Sequence, residues 1–475
     1  MINIFLHHRD LRIHDNTALI NQNKNEDNII PIFIFSPEQI NKSKNDYFSN
    51  NSVQFMIESL HELSEEVKEK KGKIYFFKGD NIKVLKEINK KVKIKSIGWN
   101  IDYTPYAQKR DSEIKEWAQN NDIIIYEKED YLLYDLLNKQ TLKKDGTYYQ
   151  VFTPFKNFCM NNLKVRDIDN FKNFNFAKSK DIEKVKYLID EEEIDKFYEN
   201  NANINIHGGR SNGIKILNNL EKFKDYQKER DFLCYKTTFL GAHNHFSTVS
   251  IREVYHKIVS KVGKSSGLIN ELHFRDFYYQ LTYYNSHMLK GQIGGKNKLF
   301  REKYNNLNWN RNKDLFTKWC DGETGIPVCD AGMRQLNKSG FMHNRLRMVT
   351  ACIATKLFLL PWWWCEKYFA TKLVDYDPIQ NSCGWNWTIG GIDAQQFTRI
   401  FSPQSQSEKF DSECKFIKIW IPELKDVPIK DIHNWEEKYE EHVKKGIYYK
   451  PVMNYKEARK KGIEELLRIN KLKNI

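Results

Sequence analysis

The sequence predicts two unlike halves. Residues 1–130 should form an α/β domain on a doubly wound parallel sheet, residues 207–475 an all-α C-terminal domain, with a connector over 131–206. Three observations predict this. Short β-branched runs alternate with helical patterns through the first 130 residues. The stretch 165–205 is rich in Lys, Asn, Asp and Glu and reads as a surface linker. Beyond residue 207 the apolar residues recur almost only at helical spacing. At 475 residues the chain is long enough for two or three domains.

Taken in order, the strands are predicted at 2–6, 29–35, 73–77, 93–98 and 123–126, each brief and apolar, as strands buried on both faces are. Between the second and third, Val53, Met56, Leu60, Leu63 and Val67 recur at helical spacing, with Ser52 at the expected N-cap. No G-x-G-x-x-G follows the first strand. His8, Arg9, Asp10, Leu11, Arg12, Asp15 and Asn16 stand there instead, so the usual dinucleotide fingerprint is absent. The chain closes with an amphipathic run over 458–472 and shows no long polar extension.

Lys and Arg number 76 against 62 Asp and Glu, a net charge of +14 that fits either a polyanionic partner or plain solubility. The eight cysteines have no C-x-x-C pair and no zinc-ligand spacing, which predicts free thiols in a reduced, intracellular setting. His243 and His245 lack a third ligand nearby and read as surface residues rather than a metal site. No apolar run reaches the roughly 18 residues of a membrane span, and the first residues are too short for a signal segment. A soluble, monomeric protein needing no protein partner is expected.

The chemistry concentrates in residues 319–411. There Gly325-Ile-Pro-Val-Cys-Asp330 and Met333-Arg334 are followed by Gly340-Phe-Met-His343-Asn344-Arg345-Leu-Arg347-Met348, then by Asn381-Ser-Cys-Gly384-Trp385-Asn-Trp387. Arginines, aromatic rings and amides recur without a hydrolytic nucleophile. Such a set suits an aromatic, negatively charged cofactor and electron movement. These motifs resemble the photolyase/cryptochrome family, most closely its class I members that act on cyclobutane pyrimidine dimers. The resemblance runs from Arg9 to about residue 465, includes the connector segment 145–156, is specific over 319–411 and is weaker before residue 100.

The resemblance implies an N-terminal antenna-chromophore domain, a C-terminal FAD domain, and light-driven repair of UV-damaged DNA by reduced FAD. It assigns Tyr226, Thr237, Thr238, Leu240 and Gly241 to the FAD diphosphate, although relatives usually carry Ser at the place of Gly241. Arg347 and Asp375 match an ion pair against the flavin ring, Asp377 a polar contact to the cofactor, and Asn381 the amide facing flavin N5. Trp385, Trp362 and Trp309 match a chain that passes electrons to the flavin, while Trp363 and Trp364 replace polar residues of better-known relatives and read as packing.

On the substrate side, Glu271 matches a carboxyl group that hydrogen-bonds the damaged pyrimidines and Trp387 a ring that stacks on them. Asn344 and Met348 stand one helical turn apart where the 6-4 photoproduct class carries two histidines, and Glu271 where that class has Gln, so the trio implies a cyclobutane dimer as substrate. His343 matches a histidine shared by both classes. Phe274 takes a position that is usually Trp, giving up area and a ring N–H. Arg275, Arg345, Arg399 and Lys409 match a DNA-facing rim, with Arg345 and Arg275 foremost. The alternatives are a 6-4 photolyase and a cryptochrome photoreceptor on the same fold. For a second, antenna chromophore, the loops around Ser36, Glu38 and 100–106 leave folate, deazaflavin and flavin open.

Overall fold

The computed structural model describes residues 1–293, 295–393 and 395–471; Leu472, the last residue of the predicted C-terminal run, lies outside them. Five parallel strands, β1 (Ile2–His7), β2 (Ile29–Phe35), β3 (Tyr75–Lys78), β4 (Ile94–Asn100) and β5 (Ile124–Lys128), stand in the order β5-β4-β1-β2-β3. Alternate residues feed two different cores, which is why these runs read as continuously apolar. Ile4, Leu6, Ile30, Ile32 and Ile34 pack with Ile88, Trp99 and Ile114 on one face. Phe5, Ile29, Phe33 and Phe35 pack on the other with Phe55, Leu60 and Leu63 of the Asn50–Glu69 helix. That helix starts one turn earlier than predicted. Its N-cap is Ser49, whose side chain accepts from the Ser52 N–H.

The segment 165–205 is not a free linker. Val165, Phe176, Ile182, Val185, Ile194 and Ile204 are buried along it, and Phe176 bridges to Ile29. Leu188–Ile189 adds a short sixth strand, β6, antiparallel to β3. The abundant charge between these points faces water, and that hid their role.

From Arg210 onward the elements are helical. One core gathers Trp319, Met333, Leu346, Trp362 and Trp385 from the helices Lys313–Asp321, Pro327–Ser339, Asn344–Cys352, Trp362–Lys372 and Pro378–Ile389. Proline at the first position starts two of these, and Gly340, with φ 68°, ends the Pro327–Ser339 helix in the left-handed region. A second core packs the Gly267–Tyr284 helix against Phe152–Asn162 of the connector.

The halves are joined by a buried charge cluster. Arg12 meets Asp130 at 2.5 Å, and Arg252 meets Asp130 at 2.7 Å and Asp15 at 2.8 Å, so the Arg12 and Asp15 motif serves the interface. The two guanidinium groups hold Asp130 well below the usual carboxylate range, overcoming its burial. Among the described residues no helix is long and apolar enough to cross a membrane.

Candidate active site

The Asn344–Cys352 helix begins where His343 Nδ1 accepts the Arg345 N–H at 3.2 Å. Burial pushes His343 down to about 4, so at neutral pH it is an uncharged cap and not a ready acid. Arg347 donates through Nη2 to both carboxylate oxygens of Asp375, at 3.1 and 2.9 Å, and through Nε to the Met342 carbonyl. Gly241 lies against that pair: a Cβ there would sit 2.8 Å from Asp375 Oδ2. The glycine that departs from the usual serine therefore gives the carboxylate its room. Next to it, Thr238 Oγ1 accepts from the Leu240 N–H at 3.4 Å at the start of a short helix, Thr237 is half-buried, and Tyr226 is buried.

The Pro378–Ile389 helix carries the facing groups. Asn381 Nδ2 donates to the Glu366 carbonyl at 3.0 Å and to Glu366 Oε1 at 2.9 Å, which leaves Asn381 Oδ1 as the atom free to accept from a ligand. Burial pushes Glu366 up to about 7. Its other oxygen, Oε2, has no well-formed hydrogen bond. Glu366 went unnoticed in the sequence, where nothing marks it apart from any helical glutamate. Gly384, one turn on, faces open space, with nothing within 4 Å of a Cβ, and Trp387 is half-buried on the same side. Asp377 stands at the start of that helix. Its Oδ1 caps the helix by accepting from Ile379 and Gln380, while Oδ2 accepts from the Tyr279 hydroxyl at 2.6 Å and lies 3.3 Å from His245. It secures the helix start through these protein partners. His243, bonded to Thr248, is fully buried and so not a surface residue, while His245, held on Asp377, is half-buried.

A third helix, Gly267–Tyr284, contributes Glu271, whose carboxylate accepts from Arg230 Nη1. Burial pushes Glu271 up, while Arg230 pulls it down. Arg230 was also missed in the sequence. The adjacent Asp231 holds Arg345 at 2.6 Å, so two consecutive residues tie Glu271 to the helix bearing the exposed Asn344 and half-buried Met348. Phe274 stacks face to face on Phe152 with centroids 3.4 Å apart. Phe274→Trp alone is therefore expected to overpack and cost about 1–3 kcal/mol in thermal unfolding. A Phe152→Leu companion should relieve that loss.

Arg275 does not stand on a DNA rim. It is 8% exposed, donates to the Tyr131 carbonyl and lies over the Tyr279 ring. Most sides of its helix are buried, and this arginine faces the connector. Arg345 is half-buried over Phe410, while Arg399 and Lys409 are exposed. Trp385 and Trp362 are buried and Trp309 half-buried.

The chain's progress across the sheet reverses at β1, between its neighbours β2 and β4, and a cleft of about 800 Å³ opens there between the N-terminal half and residues of the helical half such as Tyr279 and Trp363. Ser36, Glu38, Asp102, Thr104 and Tyr106 line it, with Arg9 behind the end of β1.

Residues 3–172 match the family model described as DNA photolyase, and residues 268–468 the FAD binding domain of DNA photolyase. A deoxyribodipyrimidine photo-lyase of Alkalihalophilus pseudofirmus is 32% identical, over 96% of this chain and 95% of the relative. The chain belongs to the photolyase family. An archaeal photolyase of Sulfolobus tokodaii, solved with two FAD molecules, shares 34% identity at a TM-score of 0.85, covering 98% of this chain and all of the other. A Synechocystis cryptochrome, 22% identical at a TM-score of 0.82 over 98% of this chain and 99% of its own, has the same fold.

The photolyase helical half is thus an FAD-binding domain, and the residues present fit that cofactor. The open flank at Gly384, the unclaimed Asn381 Oδ1 and the Arg347–Asp375 pair are the groups that would edge a flat heteroaromatic ring.

Proposed function

We propose that this photolyase-family chain is a light-driven lyase that splits cyclobutane pyrimidine dimers in DNA. The observation that carries the reading is the Arg230–Asp231 link, which ties Glu271 to Arg345 on the helix that also bears Asn344 and Met348. Reduced FAD, when bound, supplies an electron under blue light. The protein's own groups do the rest. Arg347 offers positive charge beside a ring that carries negative charge, and Asp375 fixes the guanidinium. Asn381 Oδ1, left free because Nδ2 is held by Glu366, would accept a ring N–H. A dimer turned out of the duplex would present carbonyl edges to Glu271 and Arg230 and faces to Trp387 and Phe274. Arg345, Arg399 and Lys409 would meet phosphates, with log K falling by roughly 0.9 per contact as log salt rises.

Asn344 and Met348 in place of two histidines favour the cyclobutane lesion over the 6-4 photoproduct, and the Alkalihalophilus relative's name agrees. The cleft at β1 would hold the second chromophore. The Sulfolobus relative with two FAD molecules favours a flavin over folate or deazaflavin. In a direct assay, reduced protein, dimer-bearing oligonucleotide and blue light should restore thymines and leave 6-4 lesions untouched. Repair of 6-4 lesions, or of neither lesion, would sink this reading.

A further inference from the structure

Two adjacent indoles that read as packing in the sequence occupy unequal surroundings. Trp362 opens the Trp362–Lys372 helix, and its ring meets Trp363 edge-on at 6.5 Å. Trp363 in turn meets Trp309 edge-on at 5.8 Å. The three rings thus form a continuous line from a fully buried indole to a half-buried one, with Trp363 in the middle. The ring N–H groups of Trp362 and Trp309 are buried without an acceptor. An indole radical cation with no acceptor for its proton stays charged, so the vacancy can move on. Trp363 and Trp364 both border the cleft, so that contact does not separate them. Trp364 differs. The Lys313 ammonium sits 3.3 Å from its ring centroid, and a cation on the ring face opposes formation of a second positive charge there.

We propose that Trp363 is an electron-transfer residue that relays charge between Trp362 and Trp309, a position outside the expected trio. In each hop an electron leaves the Trp363 indole for the Trp362 radical cation, restoring neutral Trp362 and leaving Trp363 oxidised. Trp309 then refills Trp363, and a thiol in solution refills Trp309. The initial oxidant is oxidised FAD under blue light, so the inference rests on the reading that Trp385, Trp362 and Trp309 serve the bound flavin.

The test compares Trp385→Phe, Trp363→Phe and Trp364→Phe, each loaded with oxidised FAD, by flash absorption of the tryptophan radical and by the photoreduction rate with thiol present. Trp363→Phe should shorten the radical's lifetime and slow photoreduction by at least about tenfold, while Trp364→Phe matches the parent. Without any FAD, Trp363→Phe should also remove the exciton couplet of the neighbouring indoles in circular dichroism. A normal Trp363→Phe beside a dead Trp385→Phe overturns the relay and leaves the chain standing. A normal Trp385→Phe overturns the chain itself, and the relay with it.

Discussion

Arg347→Met should yield a protein that folds but releases its FAD on desalting, with flavin affinity weakened by about ten- to 150-fold. The guanidinium makes two charge-assisted bonds to Asp375, at 3.1 and 2.9 Å, with the side chains only 28% and 13% exposed. Methionine keeps most of the volume and removes every donor. Asp375 is then left partly buried, with no partner. Hydrogen bonds between charged groups in such settings contribute about 1.5–3 kcal/mol, which corresponds to that loss of affinity. Arg347→Lys should recover only part of it, because one ammonium cannot span both carboxylate oxygens. The ratio of flavin to protein absorbance after gel filtration measures the effect. Full retention in Arg347→Met would mean that the pair only ties two helices together.

Asp130→Asn should lower stability by about 3–5 kcal/mol, the usual cost of breaking a buried ion pair from one side. Asp130 faces Arg12 and Arg252, all three side chains being at most 1% exposed, and also accepts from Thr17. Asparagine has nearly the same shape but leaves two guanidinium groups to share Asp15. A fall of about 5 °C in the thermal midpoint is expected for a chain of this size. The pH dependence has a definite sign. Because Asp130 is held far below its ordinary value of 3.8, its stabilisation is complete above that value and fades as the pH falls through it toward the folded-state value. The gap between parent and variant should therefore be constant near neutrality and narrow below about pH 4. A gap that stayed open in strong acid would assign the loss to packing.

The strands were legible because a sheet covered on both faces writes unbroken apolar runs; β2 spans 29–35 as predicted. Ser49 was passed over because Asn50 and Asn51 shift the apparent start of the Asn50–Glu69 helix. β6 is two residues long and has no period to detect. At the site, Arg347, Asp375 and Asn381 stood out through dense motifs, and the first two are indeed paired. Glu366 and Arg230 acquire meaning only by contact with distant residues, so no local pattern could reveal them. Arg275 misled for the opposite reason. Charge usually marks an outer face, but the Gly267–Tyr284 helix is enclosed, and its arginine satisfies a carbonyl from the connector.

The return of the connector to the sheet bears on how the nascent chain matures. When residues 1–130 have left the ribosome, the β3 border has no neighbour, and the apolar face that Phe176, Ile194, Ile204 and Ile206 later cover is open to water. An uncovered strand border beside greasy surface is a template for self-association. The N-terminal half therefore closes only after about residue 206 has emerged, and a fragment cut at 130 should clump where one ending beyond 206 stays dispersed.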